Sequence, residues 1–288
     1  MKTKSMGTEP EAGAARRVVA VVRGTPTSDG AGVTLTRMIG NRDLPDLDPF
    51  LMLDEFGSDR PGEYLAGFPS HPHRGFETVT YMLAGRMRHK DNKGHEGLLT
   101  PGSVQWMTAG RGIVHSEMPE QEEGLMQGFQ LWVNLPAKDK MTAPRYQEFA
   151  PEKIPVAAPA PGVTVKVIAG TVDGVMGPIS AVATDPTYLD IGLKPGASYS
   201  HALPREHNAF VSVFEGAAVI DGKPVVRGQL AVLGQGERVE IAARDKPVRL
   251  ILVAGRPLRE PVAKHGPFVM NTPQEIHQAI ADYQAGKF

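Results

Sequence analysis

The sequence predicts an all-β protein of two repeated β domains that end in one short helix. Three observations lead to this prediction. Short apolar segments rich in β-branched residues recur along the 288-residue chain between Gly, Pro, Asp and Asn, a pattern typical of strands in a sandwich or barrel. A Pro- and Ala-rich stretch divides these segments into two groups. Helical periodicity is found only near the C-terminus.

The first group of segments follows a polar N-terminal stretch. The chain starts with MKTKSMGTEPEAGAARR, which lacks the apolar core of a signal peptide, and we expect residues 1–16 to form a disordered tail. The strand-like segments that follow are VVAVV, GVTLTRMIG, ETVTYML, SVQWM and FQLWVNL. They define a predicted N-terminal domain over residues 17–145.

The Pro- and Ala-rich stretch lies between Pro136 and Gly162 and includes EKIPVAAPAPG. It is the best candidate for a connection between domains, so that the predicted C-terminal domain spans residues 146–288. The strand-like segments of this domain are VTVKVIAG, TYLDIGL, AFVSVFEG, AAVI, QLAVLG, RVEIA and VRLILVAG.

The C-terminal segment predicts a helix over residues 273–285. Thr272 and Glu275 have the spacing of a capping box, and Pro273 occupies the first helical position. Apolar residues then recur at i, i+3, i+4 and i+7, namely Ile276, Ala279, Ile280 and Tyr283. We expect this apolar stripe to pack either on the second domain or, by reaching back, on the first.

Composition argues against several functions. The chain has 31 basic and 32 acidic residues and a formal net charge of -1, and it has no long basic stripe with interleaved aromatic residues, so direct binding of nucleic acid is not expected. Apolar runs long enough to span a bilayer are missing, and we expect a cytoplasmic protein. Because cysteine is absent, any metal must be held by His, Asp or Glu.

Two short polar pairs carry the strongest functional signal: His71 and His73 in HPHRG, and His115 and Glu117 in VHSEMP. Their i, i+2 spacing places both side chains of a pair on one face of a strand. Two strands could therefore bring together three imidazoles and one carboxylate, which suit a divalent transition metal better than magnesium or calcium. The alternative is two unrelated hydrogen-bonded pairs.

The predicted ligand set suits oxygen chemistry. Four protein ligands on a six-coordinate metal leave two positions for an organic substrate and dioxygen. Iron(II) is favoured because this chemistry needs a redox-active or substrate-activating centre, and manganese, nickel, copper, cobalt and zinc fit the same ligands. Glu117 is either a fixed fourth ligand or a base that takes a proton from an acidic substrate hydroxyl.

The two groups of strands resemble degenerate repeats. ETVTYMLAG parallels AFVSVFEG, and PGSVQWM parallels RGQLAVL. Aligning the glycines of these segments pairs the four polar residues His71, His73, His115 and Glu117 with Ala202, Pro204, Ile241 and Ala243. The alignment predicts that only the N-terminal domain binds metal.

Several residues near the polar pairs are candidates for supporting the site. Phe68, Phe76, Trp106 and Met107 could form an apolar wall, although core packing is favoured for them. Arg74 either faces an anionic ligand or pairs with Glu77. The side chains expected to contact the ligands from outside are Arg74, Gln105, Met107 and Phe68.

The other histidines are given structural roles. His89 lies just before DNKGHEG and His95 lies within it. This segment predicts a hairpin turn, and we expect both histidines to be solvated. His201 and His207 lie in the second repeat, where a structural role is favoured, and His277 is on the polar side of the predicted helix.

Three long segments resemble one known family. HPHRGFETVTYMLAG, then PGSVQWMTAGRGIVHSEMP and then GPFVMNTPQEIHQAIADYQAGKF closely resemble pirin and the bacterial pirin-like proteins of the cupin superfamily. The likeness spans nearly the whole chain apart from the N-terminal tail. It implies a bicupin, that is, two antiparallel β-barrel (jelly-roll) domains closed by a C-terminal helix. It also implies one metal in the N-terminal barrel, held at His71, His73, His115 and Glu117.

The resemblance implies two functions for this site. One is the quercetin 2,3-dioxygenase reaction, in which dioxygen opens the ring of a small aromatic flavonol and carbon monoxide is released. The other is non-enzymatic, iron-dependent redox regulation of a protein partner, either a transcription factor or a metabolic enzyme. We favour the dioxygenase because it needs vacant metal positions and an apolar pocket. A metal-stabilised structural protein without turnover is a third interpretation.

Overall fold

The structure is a computed structural model that describes residues 13–288. Most of the predicted tail over residues 1–16 therefore lies outside the described residues. Arg16 is buried against the C-terminal half of the chain, where its guanidinium donates to the carbonyl oxygens of Pro204 and His207 at 2.6 and 2.8 Å. The tail therefore ends before Arg16, because these long-range hydrogen bonds hold that residue in the fold.

Strands dominate the described residues. The first thirteen are β1 (Val18–Arg23), β2 (Thr25–Asp29), β3 (Val33–Ile39), β4 (Phe50–Ser58), β5 (Phe68–His73), β6 (Phe76–Ala84), β7 (Met87–Asp91), β8 (Glu96–Leu99), β9 (Val104–Thr108), β10 (Ile113–Pro119), β11 (Met126–Asn134), β12 (Arg145–Phe149) and β13 (Val156–Ala157). The remaining ones are β14 (Val163–Ala169), β15 (Thr171–Val172), β16 (Val175–Met176), β17 (Thr187–Leu193), β18 (Ser198–Ala202), β19 (Asn208–Glu215), β20 (Ala217–Ile220), β21 (Lys223–Val226), β22 (Gln229–Leu233), β23 (Arg238–Ala243), β24 (Val248–Gly255), β25 (Ala263–His265) and β26 (Phe268–Met270). Short 3-10 helices span Pro61–Glu63, Ala137–Asp139 and Pro151–Lys153, and the α-helix α1 spans Pro273–Gln284.

Each half of the chain forms a barrel of two antiparallel sheets. In the first barrel, a seven-stranded sheet of order β12-β9-β6-β11-β4-β3-β2 faces a four-stranded sheet of order β5-β10-β7-β8. In the second, the orders are β1-β22-β19-β24-β17-β14-β13 and β18-β23-β20-β21. Apolar side chains such as Val165, Leu189, Val211 and Ile241 fill the second barrel. The predicted all-β bicupin architecture with one C-terminal helix is confirmed.

Two edge strands cross the predicted domain ranges. The strand β1, within the range predicted for the N-terminal domain, pairs with β22 of the second barrel. The strand β12 starts at the predicted boundary and pairs with β9 of the first barrel. Each of these strands covers a sheet edge that would otherwise expose unpaired backbone groups. Strand pairing therefore places residues 18–23 with the second barrel and residues 145–149 with the first.

The two seven-stranded sheets pack face to face across a shared apolar core. Phe50 and Phe129 of the first barrel contact Phe210 and Phe214 of the second, with ring centroids 5.3 and 5.5 Å apart. Trp106 is 1% exposed and belongs to this core. Two environments were predicted for Trp106, the protein core and the wall of the site. Trp106 therefore packs in the core.

Glu55 gives the wild-type protein a pH-dependent stability. Burial raises the pKa of Glu55 to about 7, against the opposing effects of Arg227 and Gln127. Folding therefore takes up protons between about pH 4.5 and 7, and stability falls as pH rises through this window. We expect Glu55→Gln to raise the free energy of unfolding at pH 8 by about 1–3 kcal/mol and to have little effect at pH 4.5. Urea unfolding of both proteins at the two pH values checks this, and an equal difference at both would contradict it.

The C-terminal segment reaches back onto the first barrel, which was one of the two predicted alternatives. Phe268, Ile276, Ala279 and Phe288 pack together and against Val114 of β10. The predicted capping box is present: the Glu275 amide donates to the Thr272 hydroxyl at 3.2 Å, and the Thr272 amide donates to the Glu275 carboxylate at 2.9 Å. Within residues 13–288, no helix has the length and apolar character needed to cross a bilayer.

Candidate metal centre

Three predicted ligands project from two paired strands. The antiparallel strands β5 and β10 place His115 directly opposite His71, and directly opposed residues share a face of a sheet. His73 is two positions beyond His71 and therefore lies on the same face. The i, i+2 spacing and the strand register together bring the three imidazoles to one face, which points into the first barrel.

The three rings are arranged as metal ligands would be. His71 Nε2 and His73 Nε2 are 3.0 Å apart, and adjacent ligands at right angles on bonds of about 2.1 Å would be about 3.0 Å apart. His71 Nδ1 donates to the carbonyl oxygen of Pro69 at 2.8 Å, which leaves the Nε2 lone pair available. His115 Nε2 is buried and has no hydrogen-bond partner among the described residues. The donor set therefore fits a transition metal.

Glu117 lies beside this cluster rather than within it. The ligand atoms of the three histidines are within 4.8 Å of one another, and Glu117 is outside this group. Its side chain is buried, and the Thr80 hydroxyl donates to Glu117 Oε1 at 3.0 Å. A bulge in the pairing of β5 and β10 falls between His115 and Glu117. Glu117 lines the same cavity as His71 and His73.

Burial sets the protonation of the site. It lowers the pKa of His73 and His115 well below the usual range, with a further contribution from neighbouring histidines. Burial also raises the pKa of Glu117, against the opposing effects of His71 and the Thr80 hydroxyl. The imidazoles of His73 and His115 are therefore neutral near pH 7 and have lone pairs for a cation.

A cavity of about 680 Å³ opens beside the histidines and is lined from both sheets of the first barrel. Its apolar wall includes Phe56, Phe68, Met87 and Trp132. The Trp132 ring is 5.3 Å from the ring of His73. Trp132 was missed in the sequence, although the alternation in FQLWVNL places it on the same face of β11 as Gln130, which also lines the cavity.

Comparison with known proteins identifies the family. Residues 32–133 match the Pirin family, and residues 188–288 match the Pirin C-terminal cupin domain. A pirin-like protein of Caulobacter vibrioides is 54% identical over 274 residues, which cover 95% of this chain and 99% of that protein. This chain belongs to the pirin family. Human pirin is 46% identical over 281 residues, covering 96% of this chain and 94% of that protein.

A solved structure extends the family comparison. The crystal structure of quercetin 2,3-dioxygenase from Acinetobacter baumannii superposes with a TM-score of 0.88 at 35% sequence identity. The match covers 96% of this chain and 99% of that chain. The two-barrel arrangement of this pirin-family chain is therefore shared along nearly its whole length.

Arg74 has a different partner from the two predicted for it. Its guanidinium donates to Asp282 at 2.9 Å and to the carbonyl oxygen of Arg111 at 2.6 Å, and it lies 4.4 Å from the centre of the Phe288 ring. It neither lines the cavity nor pairs with Glu77. Because the C-terminal segment folds back onto the first barrel, the carboxylate partner of Arg74 is about 200 residues away in sequence.

The other predicted supporting residues divide between cavity and core. Phe68 lines the cavity, and the ring of Phe76 packs 5.0 Å from that of His73. Gln105 is buried outside the cavity lining and donates to Glu148 at 2.6 Å. Met107 is also buried and packs in the core beside Tyr146.

The structure corrects the prediction that His89 is solvated. His89 is fully buried because β7 places it directly opposite Glu117, on the inner face of the sheet. Burial and the neighbouring His95 lower the pKa of His89 to about 4. His95 is half-buried rather than solvated. Among the remaining histidines, His201 and His207 are buried and His277 is exposed.

Strand pairing also revises the comparison between the two barrels. His71 lies opposite His115 in the first barrel, and Tyr199 lies opposite Ile241, the counterpart of His115, in the second. Tyr199 and His201 are therefore the counterparts of the two histidines of β5. The second barrel keeps one imidazole at these positions.

The predicted counterparts Ala202 and Pro204 were wrong because the connections differ in length. Residues 203–207 join β18 to β19, whereas residues 74–75 alone join β5 to β6. The sequence alignment was anchored on Gly85 and Gly216, which follow β6 and β19. The three additional residues before β19 therefore shift the positions paired with His71 and His73 by three. Ala202 is exposed and does not face the interior of the barrel.

Proposed function

We propose that this member of the pirin family is a metal-dependent dioxygenase that cleaves a flavonol such as quercetin with dioxygen and releases carbon monoxide. The observation that carries the proposal is the convergence of His71, His73 and His115 beside a largely apolar cavity of about 680 Å³, which His71 and His73 line. Pockets for small organic ligands are about 300–1,000 Å³ and mostly apolar. The similarity to the Acinetobacter baumannii quercetin dioxygenase supports the same function.

We propose that the three histidines hold one divalent transition metal and that Glu117 is either the fourth ligand or a base. Iron(II) is the preferred ion, and nickel, manganese, cobalt, copper and zinc fit the same imidazoles. When bound, the metal supplies a Lewis-acidic, redox-active centre for the substrate oxygen and dioxygen. The protein supplies the ligand geometry and a largely apolar cavity beside it.

Glu117 is placed to act on the proton of the substrate. Burial raises the pKa of its carboxyl, which makes the carboxylate a stronger base for an acidic hydroxyl such as the flavonol 3-hydroxyl. The Thr80 hydroxyl holds one carboxylate oxygen at 3.0 Å, so that the other oxygen is available for the substrate. Phe56, Phe68 and Trp132 provide apolar surface for the flat ring system.

The test is oxygen exposure of the protein after anaerobic reconstitution with iron(II), in the presence of quercetin, with carbon monoxide as the readout. We expect stoichiometric carbon monoxide from the wild type and none from His73→Ala. Glu117→Gln separates the two roles of the carboxylate. If Glu117 is a base, the variant retains iron and its turnover falls by about 10²–10⁴-fold. If Glu117 is a ligand, the variant loses iron. Wild-type carbon monoxide no higher than that of His73→Ala would contradict the dioxygenase.

A contact next to the site favours redox regulation as a second candidate. His73 is followed directly by Arg74, which bonds to Asp282 of α1 and covers the Phe288 ring. In this second proposal, the contact would carry a change at the metal to the C-terminal helix, where a protein partner would bind. If the protein is a regulator, its affinity for the protein partner is expected to depend on the oxidation state of the iron, and quercetin is not turned over.

A further inference from the structure

A second group of polar side chains lies immediately behind His115. It consists of His89 and Asp91 on β7, His95 in the following turn and Tyr146 on β12. Pairing of β7 with β10 places Asp91 opposite His115 and His89 opposite Glu117. His89 and Asp91 therefore lie on the same sheet as the proposed ligands, and Tyr146 contacts them from the seven-stranded sheet. The proposed function does not use this group.

Three short contacts connect this group to His115. His115 Nδ1 and His89 Nδ1 are 3.3 Å apart, and His89 Nε2 is 3.0 Å from the Tyr146 hydroxyl oxygen. The Tyr146 hydroxyl in turn donates to Asp91 Oδ2 at 2.8 Å. These contacts form a continuous series of hydrogen bonds from His115, a proposed ligand, to the Asp91 carboxylate.

The chemistry of the donors and acceptors fixes the direction of each hydrogen bond in this series. A carboxylate only accepts, so the Tyr146 proton points to Asp91, and the Tyr146 oxygen is left to accept from His89 Nε2. A neutral His89 with its proton on Nε2 has a lone pair on Nδ1, which accepts a hydrogen bond from the Nδ1–H group of His115. His115 is then left with a bare Nε2, which is the buried nitrogen without a partner among the described residues.

We propose that His89, Tyr146 and Asp91 are positioning residues that lock His115 in the Nδ1–H tautomer and hold its Nε2 ready for the metal. This inference rests on the metal ligands of the proposed function and does not depend on the dioxygenase reaction. Outer hydrogen-bond partners of this kind orient ligating imidazoles and raise their basicity. The His95 ring stacks on the Tyr146 ring, with centroids 4.0 Å apart and planes at 6°. This stacking restrains the Tyr146 phenol, which connects Asp91 to His89.

The same contacts argue against a second metal at His89, Asp91 and His95. The Tyr146 hydroxyl lies between His89 Nε2 and Asp91 Oδ2 and contacts both. Asp91 Oδ1 accepts from the backbone amides of Lys93 and His95 at 2.8 and 2.9 Å. The ligand atoms of His89 and Asp91 are therefore already engaged in hydrogen bonds, which leaves only His95 Nδ1, buried without a partner among the described residues, for an additional ion.

The first test measures the tautomers directly in the metal-free protein. Long-range ¹H–¹⁵N correlation spectra of the histidine rings are expected to show His115 protonated on Nδ1 and His89 protonated on Nε2. Tyr146→Phe, which removes only the hydroxyl, is expected to reduce the population of this His115 tautomer. A wild-type His115 protonated on Nε2 would overturn the proposal, whatever the outcome of the quercetin experiment.

The second test measures cobalt(II) affinity by competition with a chelator. Tyr146→Phe is expected to weaken binding by about 10–100-fold and to shift the cobalt d–d spectrum, with the thermal unfolding curve unchanged. Tyr199→Phe is the control, because its hydroxyl also contacts a buried histidine, His201 at 3.0 Å, but in the second barrel. Equal cobalt affinity in the wild type and Tyr146→Phe, or two cobalt ions per chain, would overturn the proposal. Absence of cobalt binding by the wild type would instead contradict the metal site itself.

Discussion

Replacing His73 with Ala is expected to abolish retention of the metal. His73 is 3% exposed, and its Nε2 lies 3.0 Å from that of His71, so the substitution removes one of three converging donors and leaves a cavity in its place. We expect at least a 100-fold loss of affinity, beyond the roughly 10–100-fold that follows removal of an outer partner. Metal content after dialysis against a chelator, measured by inductively coupled plasma mass spectrometry, gives the answer.

His201→Ala is the matched control for this experiment. His201 is also buried, and strand pairing places it at the position of His73 in the second barrel. The control variant is expected to retain the wild-type metal content, since Tyr199 and Ile241 occupy the positions that correspond to His71 and His115. Metal content that stays unchanged in His73→Ala, or falls equally in both variants, would count against the ligand assignment.

Replacing Trp106 with Ala is expected to destabilise the protein strongly without removing the metal. Trp106 is among the largest fully buried side chains and packs where the two barrels meet. Truncation of such a residue removes its apolar burial and leaves a cavity, which together cost about 3–5 kcal/mol. Urea unfolding followed by far-UV circular dichroism measures the loss, and metal content is measured on the folded protein.

Trp132→Ala is the matched variant on the cavity side. Because Trp132 lines the cavity beside His73, we expect this substitution to weaken the binding of a flavonol more than it lowers the free energy of unfolding. A Trp106→Ala variant that loses metal but unfolds at the wild-type urea concentration would contradict the assignment of Trp106 to the core between the barrels.

Features of this protein that depend on local periodicity could be predicted from the sequence. The i, i+2 spacing of His71 and His73 is enough to place both on one face of a strand. The capping box at Thr272 and Glu275 is contained within four residues, and the helix starts at the predicted position, Pro273. The division of the apolar segments into two groups likewise follows from short-range patterns, and the structure contains two barrels.

Features that depend on register or on distant partners could not be predicted in this way. The turn residues after β7 indicate a hairpin, but only the pairing of β7 with β10 shows that His89 faces inward. Arg74 finds Asp282 because the C-terminal helix folds back, a contact that no local pattern encodes. The connection between β18 and β19 is three residues longer than that between β5 and β6. For this reason the sequence alignment did not pair Tyr199 and His201 with His71 and His73.

Anomalous X-ray diffraction from crystals loaded with iron(II) tests the central claim most directly. The structure predicts one strong iron peak per chain, about 2.0–2.2 Å from the Nε2 atoms of His71, His73 and His115. A peak at His89, Asp91 and His95, or one beside His201 in the second barrel, would contradict the claim that three imidazoles of the first barrel hold the metal.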